Sequence, residues 1–110
     1  MTTKNSIINS ILNTMNMTWT NKKFDVAFSK VGMINVTKNE TEDGFEYKIC
    51  VWDSKSYDMD FNKVLTVSEI RKMMAFGKFE CPHHGYNYFV VTGNDEDLLD
   101  AMEELLDIIG

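Results

Sequence analysis

The sequence predicts an α+β fold, in which helices pack on one mostly antiparallel β-sheet. Apolar and polar residues alternate along residues 45–53, which is typical of a strand with one buried face. Apolar residues also recur at helical spacing in residues 4–19 and 94–109. Because the chain has 110 residues and 44% of them are apolar, we expect a single domain spanning residues 1–110, with one core and no need for metal or disulfide support.

The first predicted elements are a helix and a strand. Residues 4–19 carry a helical apolar stripe opposite a polar face of Asn, Ser and Thr. Five apolar side chains in residues 24–37 occupy even positions, so the spacing predicts one long strand or two collinear strands. Gly32, near the middle of this stretch, indicates a bulge or a bend.

The strand at residues 45–53 is expected at the centre of a three-stranded meander. The charged loop before it ends in Asp43-Gly44, a strong hairpin signal, so this strand should pair antiparallel with the preceding one. After a polar turn the alternation resumes and predicts a third strand at residues 57–61.

The middle of the chain contains a second helix with clear boundary signals. Thr66 and Glu69 have the spacing of a capping box, in which each side chain accepts a hydrogen bond from the other residue's backbone N–H. The helix is expected to run to about Phe76, with Gly77 as a left-handed cap at its C-terminus.

The last third of the chain predicts two extended segments and a helix. A short extended piece begins at Phe79, residues 82–85 form a turn, and residues 86–91 form a strand with apolar residues on both sides. Asn94 is the expected N-cap of the final helix. The predicted order of elements is therefore α-β-β-β-α-(β)β-α. The apolar stripe of the final helix consists of Leu98, Leu99, Met102, Leu105, Leu106 and Ile109.

Charge and composition narrow the expected partners and compartment. The formal net charge is −6, and residues 94–110 contain seven acids and no base. Nucleic acid and anionic membranes repel an acidic chain, whereas basic proteins attract it, so we expect a basic protein partner and neither direct nucleic-acid binding nor membrane binding. We find no apolar run long enough for a membrane span and no secretion signal, so we expect a cytoplasmic protein with two free thiols.

The densest group of reactive residue types is Cys81, His83 and His84. One thiolate and two imidazoles are ligands that zinc prefers, and Cys50 would complete a tetrahedral set if its strand lay close. The alternative is an ordinary turn, because the segment contains turn-forming residues and no paired zinc-ligand spacing. A Cys81 nucleophile with His84 as its base is a further hypothesis, but it lacks a recognisable third group.

Two features of the predicted strands are candidates for partner binding. Trp52 occupies an outward position, where an exposed tryptophan is a typical anchor for a partner, unless another element covers it. Asp58 and Asp60 share the polar face of the third predicted strand. Paired carboxylates can perform acid–base chemistry or bind a hard cation, but a one-sided sheet also places solvated polar residues at such positions.

The final helix carries another candidate surface. Its first turn contains three acids that the helix dipole favours. Four later acids gain nothing from the dipole, and no Lys or Arg lies among them to give i,i+4 support. This face is either a solubility device or a surface that binds a partner. The four acids are Asp100, Glu103, Glu104 and Asp107.

The absence of known catalytic motifs favours a binding protein. The sequence contains no phosphate loop, dinucleotide fingerprint, nucleophile elbow or zincin motif, so we predict neither an enzyme nor a cofactor. We expect a small acidic protein that docks on a basic, for example nucleic-acid-binding, protein. Phage anti-defence (anti-CRISPR-like) proteins and toxin-immunity proteins share this profile of size and charge. The alternative is a small metal-binding or thiol-dependent protein centred on Cys81, His83 and His84.

Overall fold

The fold is α+β, as the sequence predicts. A computed structural model of the chain shows five antiparallel strands in one sheet, with helices against one of its faces. The structure describes residues 6, 8–10, 13, 21–28, 31–53, 60–83 and 86–109. For residues 21–28, 31–32, 53 and 83 the description is limited to the backbone.

The order of the strands places β5 inside the sheet. The described strands are β1 (Asn21–Phe28), β2 (Val31–Thr41), β3 (Gly44–Asp53), β4 (Lys78–His83) and β5 (Tyr86–Gly93). The described helices, apart from isolated helical residues near the N-terminus, are α1 (Phe61–Val64), α2 (Val67–Met73) and α3 (Asp95–Ile109). The strand order is β1-β2-β3-β5-β4, so β5 lies between β3 and β4, which agrees with its apolar residues on both sides.

The predicted N-terminal helix lies mostly outside the described residues. The positions of residues 4–19 that are described, namely Ser6, residues 8–10 and Asn13, are all helical. Ile8 is partly buried against the core. The described part of this segment therefore agrees with the predicted helix.

The first predicted strand is a hairpin of two antiparallel strands. β1 ends at Phe28 and β2 begins at Val31, and these two residues are paired. Phe24 is paired with Ile34 and Lys22 with Val36, so the even-numbered positions of these paired segments fall on the same face of the sheet, and the register shifts only between Asp25 and Phe28. The prediction of one long strand or two collinear strands was therefore wrong, because a reversal in this register leaves the alternation in phase.

The pairing of β2 with β3 is the predicted antiparallel hairpin, with a displaced turn. β2 continues to Thr41, which pairs with Gly44, so the turn consists of Glu42 and Asp43 rather than Asp43-Gly44. The bulge predicted at Gly32 is confirmed by a register shift at this residue.

The prediction of a third strand at residues 57–61 was wrong for Asp60 and Phe61, which are the residues of this range that the structure describes. Phe61 begins α1, and Asp60 is the N-cap of that helix. Oδ1 of Asp60 accepts a hydrogen bond from the backbone N–H of Asn62 at 2.9 Å. Residues 57–59 lie outside the described residues. A three-stranded meander does exist, but it consists of β1, β2 and β3.

The capping box at the start of α2 is confirmed, whereas the predicted end of that helix is not. The N–H of Glu69 donates to Oγ1 of Thr66 at 3.2 Å, and the N–H of Thr66 donates to Oε1 of Glu69 at 2.8 Å. The helix ends at Met73, earlier than predicted. Gly77 is not a left-handed cap; a Cβ there would lie 2.1 Å from the carbonyl oxygen of Val90, so close contact with β5 requires glycine.

β4 is longer than predicted. Pro82 and His83 belong to the strand rather than to a turn, and His83 pairs with Tyr86 of β5. A register shift lies between Glu80 and His83. The proline is tolerated because β4 is at the edge of the sheet, where one side of the strand needs no hydrogen-bond donors.

The core lies between the sheet and α3. Tyr47, Ile49 and Val51 of β3 are fully buried, as the alternation predicts. The predicted stripe of α3 is also confirmed, since five of its members are buried and Leu99 is partly buried against the core. Among the described helices, none combines the length and the apolar character needed to cross a bilayer. The buried stripe residues are Leu98, Met102, Leu105, Leu106 and Ile109.

Candidate functional site

One candidate surface is the outward side of α3. Glu96, Asp100, Glu103 and Asp107 are all exposed, and their helical spacing aligns them along roughly 16 Å of the helix. We call these four residues the acidic stripe. Glu104 is half-buried beside it. Three of the four helix acids that the sequence singled out therefore belong to the acidic stripe, and the fourth, Glu104, lies next to it.

Reciprocal hydrogen bonds fix the beginning of α3. The N–H of Asp97 donates to Oδ1 of Asn94 at 3.2 Å, and the N–H of Asn94 donates to Oδ2 of Asp97 at 2.9 Å. Asn94 is therefore the N-cap that the sequence predicts, and Asp97 completes a capping box that the prediction did not include.

Asp95 attaches the first turn of α3 to the sheet. Its Oδ1 accepts hydrogen bonds from the hydroxyl of Tyr47 and from the ammonium of Lys38, whose Nζ is 3.0 Å away. Burial raises the pKa of Asp95, but these two donors together hold it below its ordinary value. Burial and the carboxylate of Asp95 also raise the pKa of Tyr47 well above its ordinary value.

A depression opens next to this cluster, between the β2–β3 turn and the start of α3. Its volume is about 480 Å³, and it is lined by Thr41, Asp43, Phe45, Thr92 and Gly93. The pairing of Phe45 with Gly93 brings the two segments together. Sequence reasoning missed both the depression and the Asp95 cluster, because their residues come from segments far apart in the chain. The sequence feature that could have pointed to them is the group of acids in each segment, at residues 40–43 and 95–97.

Asp60 has a structural role that the strand prediction did not anticipate. Its Oδ1 also accepts a hydrogen bond from Nδ2 of Asn87 at 2.9 Å. Asn87 is only 5% exposed, and its Oδ1 accepts a hydrogen bond from the backbone N–H of Phe61 at 2.7 Å. These bonds hold the start of α1 against β5. Asp58, the predicted companion of Asp60, lies outside the described residues.

Trp52 lies on the opposite face of the sheet from α3. It alternates with Val51, which is part of the core, and it is half-buried. The rings of Tyr86 and Tyr88 lie on the same face as Trp52, with their centroids 5.8 Å apart. Tyr88 is hydrogen-bonded to Glu80. Trp52 and the acidic stripe are therefore two separate surfaces.

The structure does not bring Cys50 close to Cys81. β5 lies between their strands, which places the two backbones roughly 10 Å apart, and neither cysteine forms a disulfide. Sγ of Cys50 lies 3.8 Å from the hydroxyl of Tyr86, and burial raises the pKa of the Cys50 thiol. Cys81 is exposed, whereas the side chain of His83 and all of His84 lie outside the described part. Within the described part, no three His, Cys, Asp or Glu residues are grouped closely enough to hold a metal.

Comparison with known proteins assigns no family. No protein-family model matches the chain, and no curated protein or solved structure is significantly similar to it. Functional inference therefore depends on the charge, burial and contacts of the chain's own residues.

Charge is strongly segregated in this protein. Residues 38–45 and 92–110, which meet at the depression, contain ten acids and one lysine. The rest of the chain contains seven acids and ten basic residues. The net charge of −6 therefore understates the local charge around α3 and the β2–β3 turn.

Proposed function

We propose that this protein is a small, non-enzymatic binding protein that docks on a basic protein partner through α3 and the neighbouring β2–β3 turn. The observation that supports the proposal is the charge segregation, because ten of the 17 acids lie in these two segments with a single lysine. A surface of this kind attracts a cationic partner and accelerates association.

The energetics of α3 support a functional role for the acidic stripe. Like charges at i,i+4 destabilise a helix by about 0.2–0.5 kcal/mol per pair, and Asp107 lies near the negative end of the helix dipole. The helix contains no basic residue that would relieve this repulsion. Solubility alone does not require such an arrangement, since interspersed charges of both signs keep a protein soluble.

The partner class that fits is a basic protein that binds nucleic acid, since such proteins display clustered Lys and Arg. By covering that basic surface, the acidic protein acts as an inhibitor, in the manner of phage anti-defence (anti-CRISPR-like) or toxin-immunity proteins. The analogy is one of size and charge. We place this function in the cytoplasm, where the thiols of Cys50 and Cys81 stay reduced.

Two matched double variants test the proposal. Asp100→Asn with Glu103→Gln removes two charges from the acidic stripe. Glu46→Gln with Glu80→Gln removes two charges from the opposite face of the sheet. Affinity capture with the parent protein, followed by mass spectrometry, identifies a partner, and association rates are then measured at two salt concentrations.

We expect the stripe variant to associate with the captured partner several-fold more slowly and with a weaker salt dependence. The sheet-face variant should remain close to the parent, although its net charge changes by the same amount. Equal rates and equal salt dependence for all three proteins would refute a role for the acidic stripe. A captured partner without a basic surface would refute the proposed partner class.

A further inference from the structure

We propose that α2 is a docking surface for a second copy of this chain, and that it receives the acidic stripe of that copy's α3. The contact is reciprocal, so each copy contributes its own α2 and its own α3 to a two-fold dimer. This inference goes beyond the proposed function and does not depend on it. A basic partner protein and a second copy compete for the same acids.

One side of α2 is apolar although it is open to water. Val67 and Met74 are 68% and 57% exposed, and they are the exposed large apolar side chains of the described part of the chain. With the half-buried Ile70 they follow the spacing i, i+3 and i+7, which places all three along one side of the helix. Met73 fills the core instead, so Val67 and Met74 contribute little to folding. Exposed apolar side chains that lie together are typical of an interaction surface.

Positive charge accompanies these apolar side chains. Residues 61–79, which include α1 and α2, contain four basic residues and one acid. That acid, Glu69, already accepts a hydrogen bond from the backbone N–H of Thr66 in the capping box. Arg71 and Lys72 are exposed, and neither has an ion-pair partner among the described residues. We call this apolar and basic surface the α2 patch. Its members are Val67, Ile70, Arg71, Lys72 and Met74.

The acidic stripe has the opposite charge and apolar side chains at its borders. Glu96, Asp100 and Glu103 are exposed and have no ion-pair partner within the described ranges, and α3 itself contains no base. Leu99 and Ile108 are half-buried, and their helical positions place them on either side of the stripe. The α2 patch of one copy can therefore set its cations against these acids and its apolar side chains against a border of the stripe.

The arrangement of the helices allows both contacts to form at once. α2 and α3 lie on the same face of the sheet and contact each other. A two-fold axis that passes between them places α2 of each copy against α3 of the other. Each chain has a net charge of −6, but salt screens charges that lie more than roughly 8 Å apart, so the charges in contact dominate. A second copy thus complements both helices, whereas an unrelated acidic protein would complement α2 alone.

Sedimentation equilibrium of the full chain tests the proposal. Because the interface is small and largely charged, we expect a monomer–dimer equilibrium with a dissociation constant on the order of 100 µM, and weaker association at high salt. The parent protein should be mostly monomeric at about 10 µM and mostly dimeric at about 1 mM. A monomer at every concentration would overturn the proposal. Assembly beyond the dimer would also overturn it, because the contact would then not close on itself.

Two charge-reversed variants locate the contact. Arg71→Glu with Lys72→Glu makes α2 acidic, and Asp100→Lys with Glu103→Lys makes the stripe basic. Each variant alone should dimerise about tenfold more weakly or worse, because like charges then face each other. An equimolar mixture of the two should regain about the parental affinity, since every contact in the mixed dimer again joins opposite charges. Both variants keep a net negative charge, so overall attraction does not explain a rescue. A mixture that stays monomeric would overturn the proposal.

Two further variants complete the test. Lys48→Glu with Lys78→Glu makes the same change in net charge on the opposite face of the sheet, and it should dimerise nearly as well as the parent. If it loses the dimer as fully as the α2 variant does, general repulsion explains both and the proposal fails. Val67→Thr with Met74→Gln should weaken the dimer by about five- to tenfold without lowering the melting temperature, because both side chains are exposed. An unchanged affinity for this variant would place α2 outside the interface and overturn the proposal.

Discussion

The hydroxyl of Tyr47 donates a hydrogen bond to the carboxylate of Asp95, which joins the sheet to the first turn of α3. Tyr47 is fully buried, and the same oxygen of Asp95 also accepts from Lys38, so β2, β3 and α3 meet at one atom. The acidic stripe begins at the next residue, Glu96. Its position relative to the sheet therefore depends on this contact.

We predict that Tyr47→Phe lowers the free energy of unfolding by about 1.5–3 kcal/mol, because a hydrogen bond to a charged group is lost in a part-buried site. Urea unfolding measures the effect. Tyr88→Phe is the matched control, since its hydroxyl bonds to Glu80 on the other face of the sheet, and it should cost clearly less. Equal losses for the two variants would contradict a special role for the Tyr47 contact.

The pH dependence of stability should reveal Asp95. Because its pKa is lowered in the folded protein, its ionised form stabilises the fold, and this contribution is lost as the pH falls through the folded-state pKa. We therefore expect the difference in unfolding free energy between the parent and Asp95→Asn to stay constant above about pH 5 and to shrink below about pH 4. Urea unfolding at a series of pH values tests this. A difference that persists to the acid limit would argue against the assignment.

Asn87 should be necessary for stability, although it is polar and buried. Asn87→Ala leaves the backbone N–H of Phe61 without its acceptor and removes one of the two donors to Asp60, so we expect a loss of about 2–4 kcal/mol. Asn87→Asp keeps an acceptor but places a second carboxylate beside Asp60, so this variant should recover stability as the pH is lowered. Thermal unfolding of both variants is the measurement. An unchanged melting temperature for Asn87→Ala would rule out the proposed role of the network.

Neutralising the outward acids of α3 should not destabilise the protein. The variant with four changes is expected to melt at the same temperature as the parent or up to about 3 °C higher, because repulsion within the helix is relieved. Circular dichroism gives the melting temperature. A clear decrease would mean that these acids contribute to folding. The changes are Asp100→Asn, Glu103→Gln, Glu104→Gln and Asp107→Asn.

The two thiols should differ in reactivity. Cys81 is exposed, whereas Cys50 is 7% exposed and has a raised pKa, so Cys81 should react rapidly with a disulfide reagent and Cys50 slowly. Cys81→Ser should abolish the fast phase, and denaturant should make Cys50 fast. Equal rates in the native protein would contradict the burial of Cys50. Protection of Cys81 by one equivalent of zinc would instead favour the metal-binding alternative.

The sequence predicted the elements whose signals are local. The alternation of residues 45–51, the capping box at Thr66, the N-cap at Asn94 and the stripe of α3 each depend on residues a few positions apart. The apolar patterns agree with the burial of β3 and α3, and the cap signals agree with the hydrogen bonds at the starts of α2 and α3.

The sequence did not predict three other features of the structure, because no local pattern distinguishes them from alternative structures. The reversal between Phe28 and Val31 has no Gly, Asn or Asp between the strands and leaves the alternation in phase. Phe61 continued an apparent strand pattern, although Asp60 before it is a good N-cap. The contact between Tyr47 and Asp95 depends on the pairing of β3 with β5, whose register no short pattern encodes.

The strand order also determines when each part of the chain can fold. β1, β2 and β3 pair with sequence neighbours, whereas β5 joins β3 across the forty residues from Ile49 to Phe89. Because distant pairing is slower than local pairing, we expect the three-stranded meander to form first. During synthesis on the ribosome, the apolar side of β3 stays uncovered until β5 and α3, which come later in the chain, have emerged. The acids of α3 emerge together with the apolar side chains that complete the core. Their negative charge opposes aggregation of the nascent chain while the apolar side of β3 is still exposed.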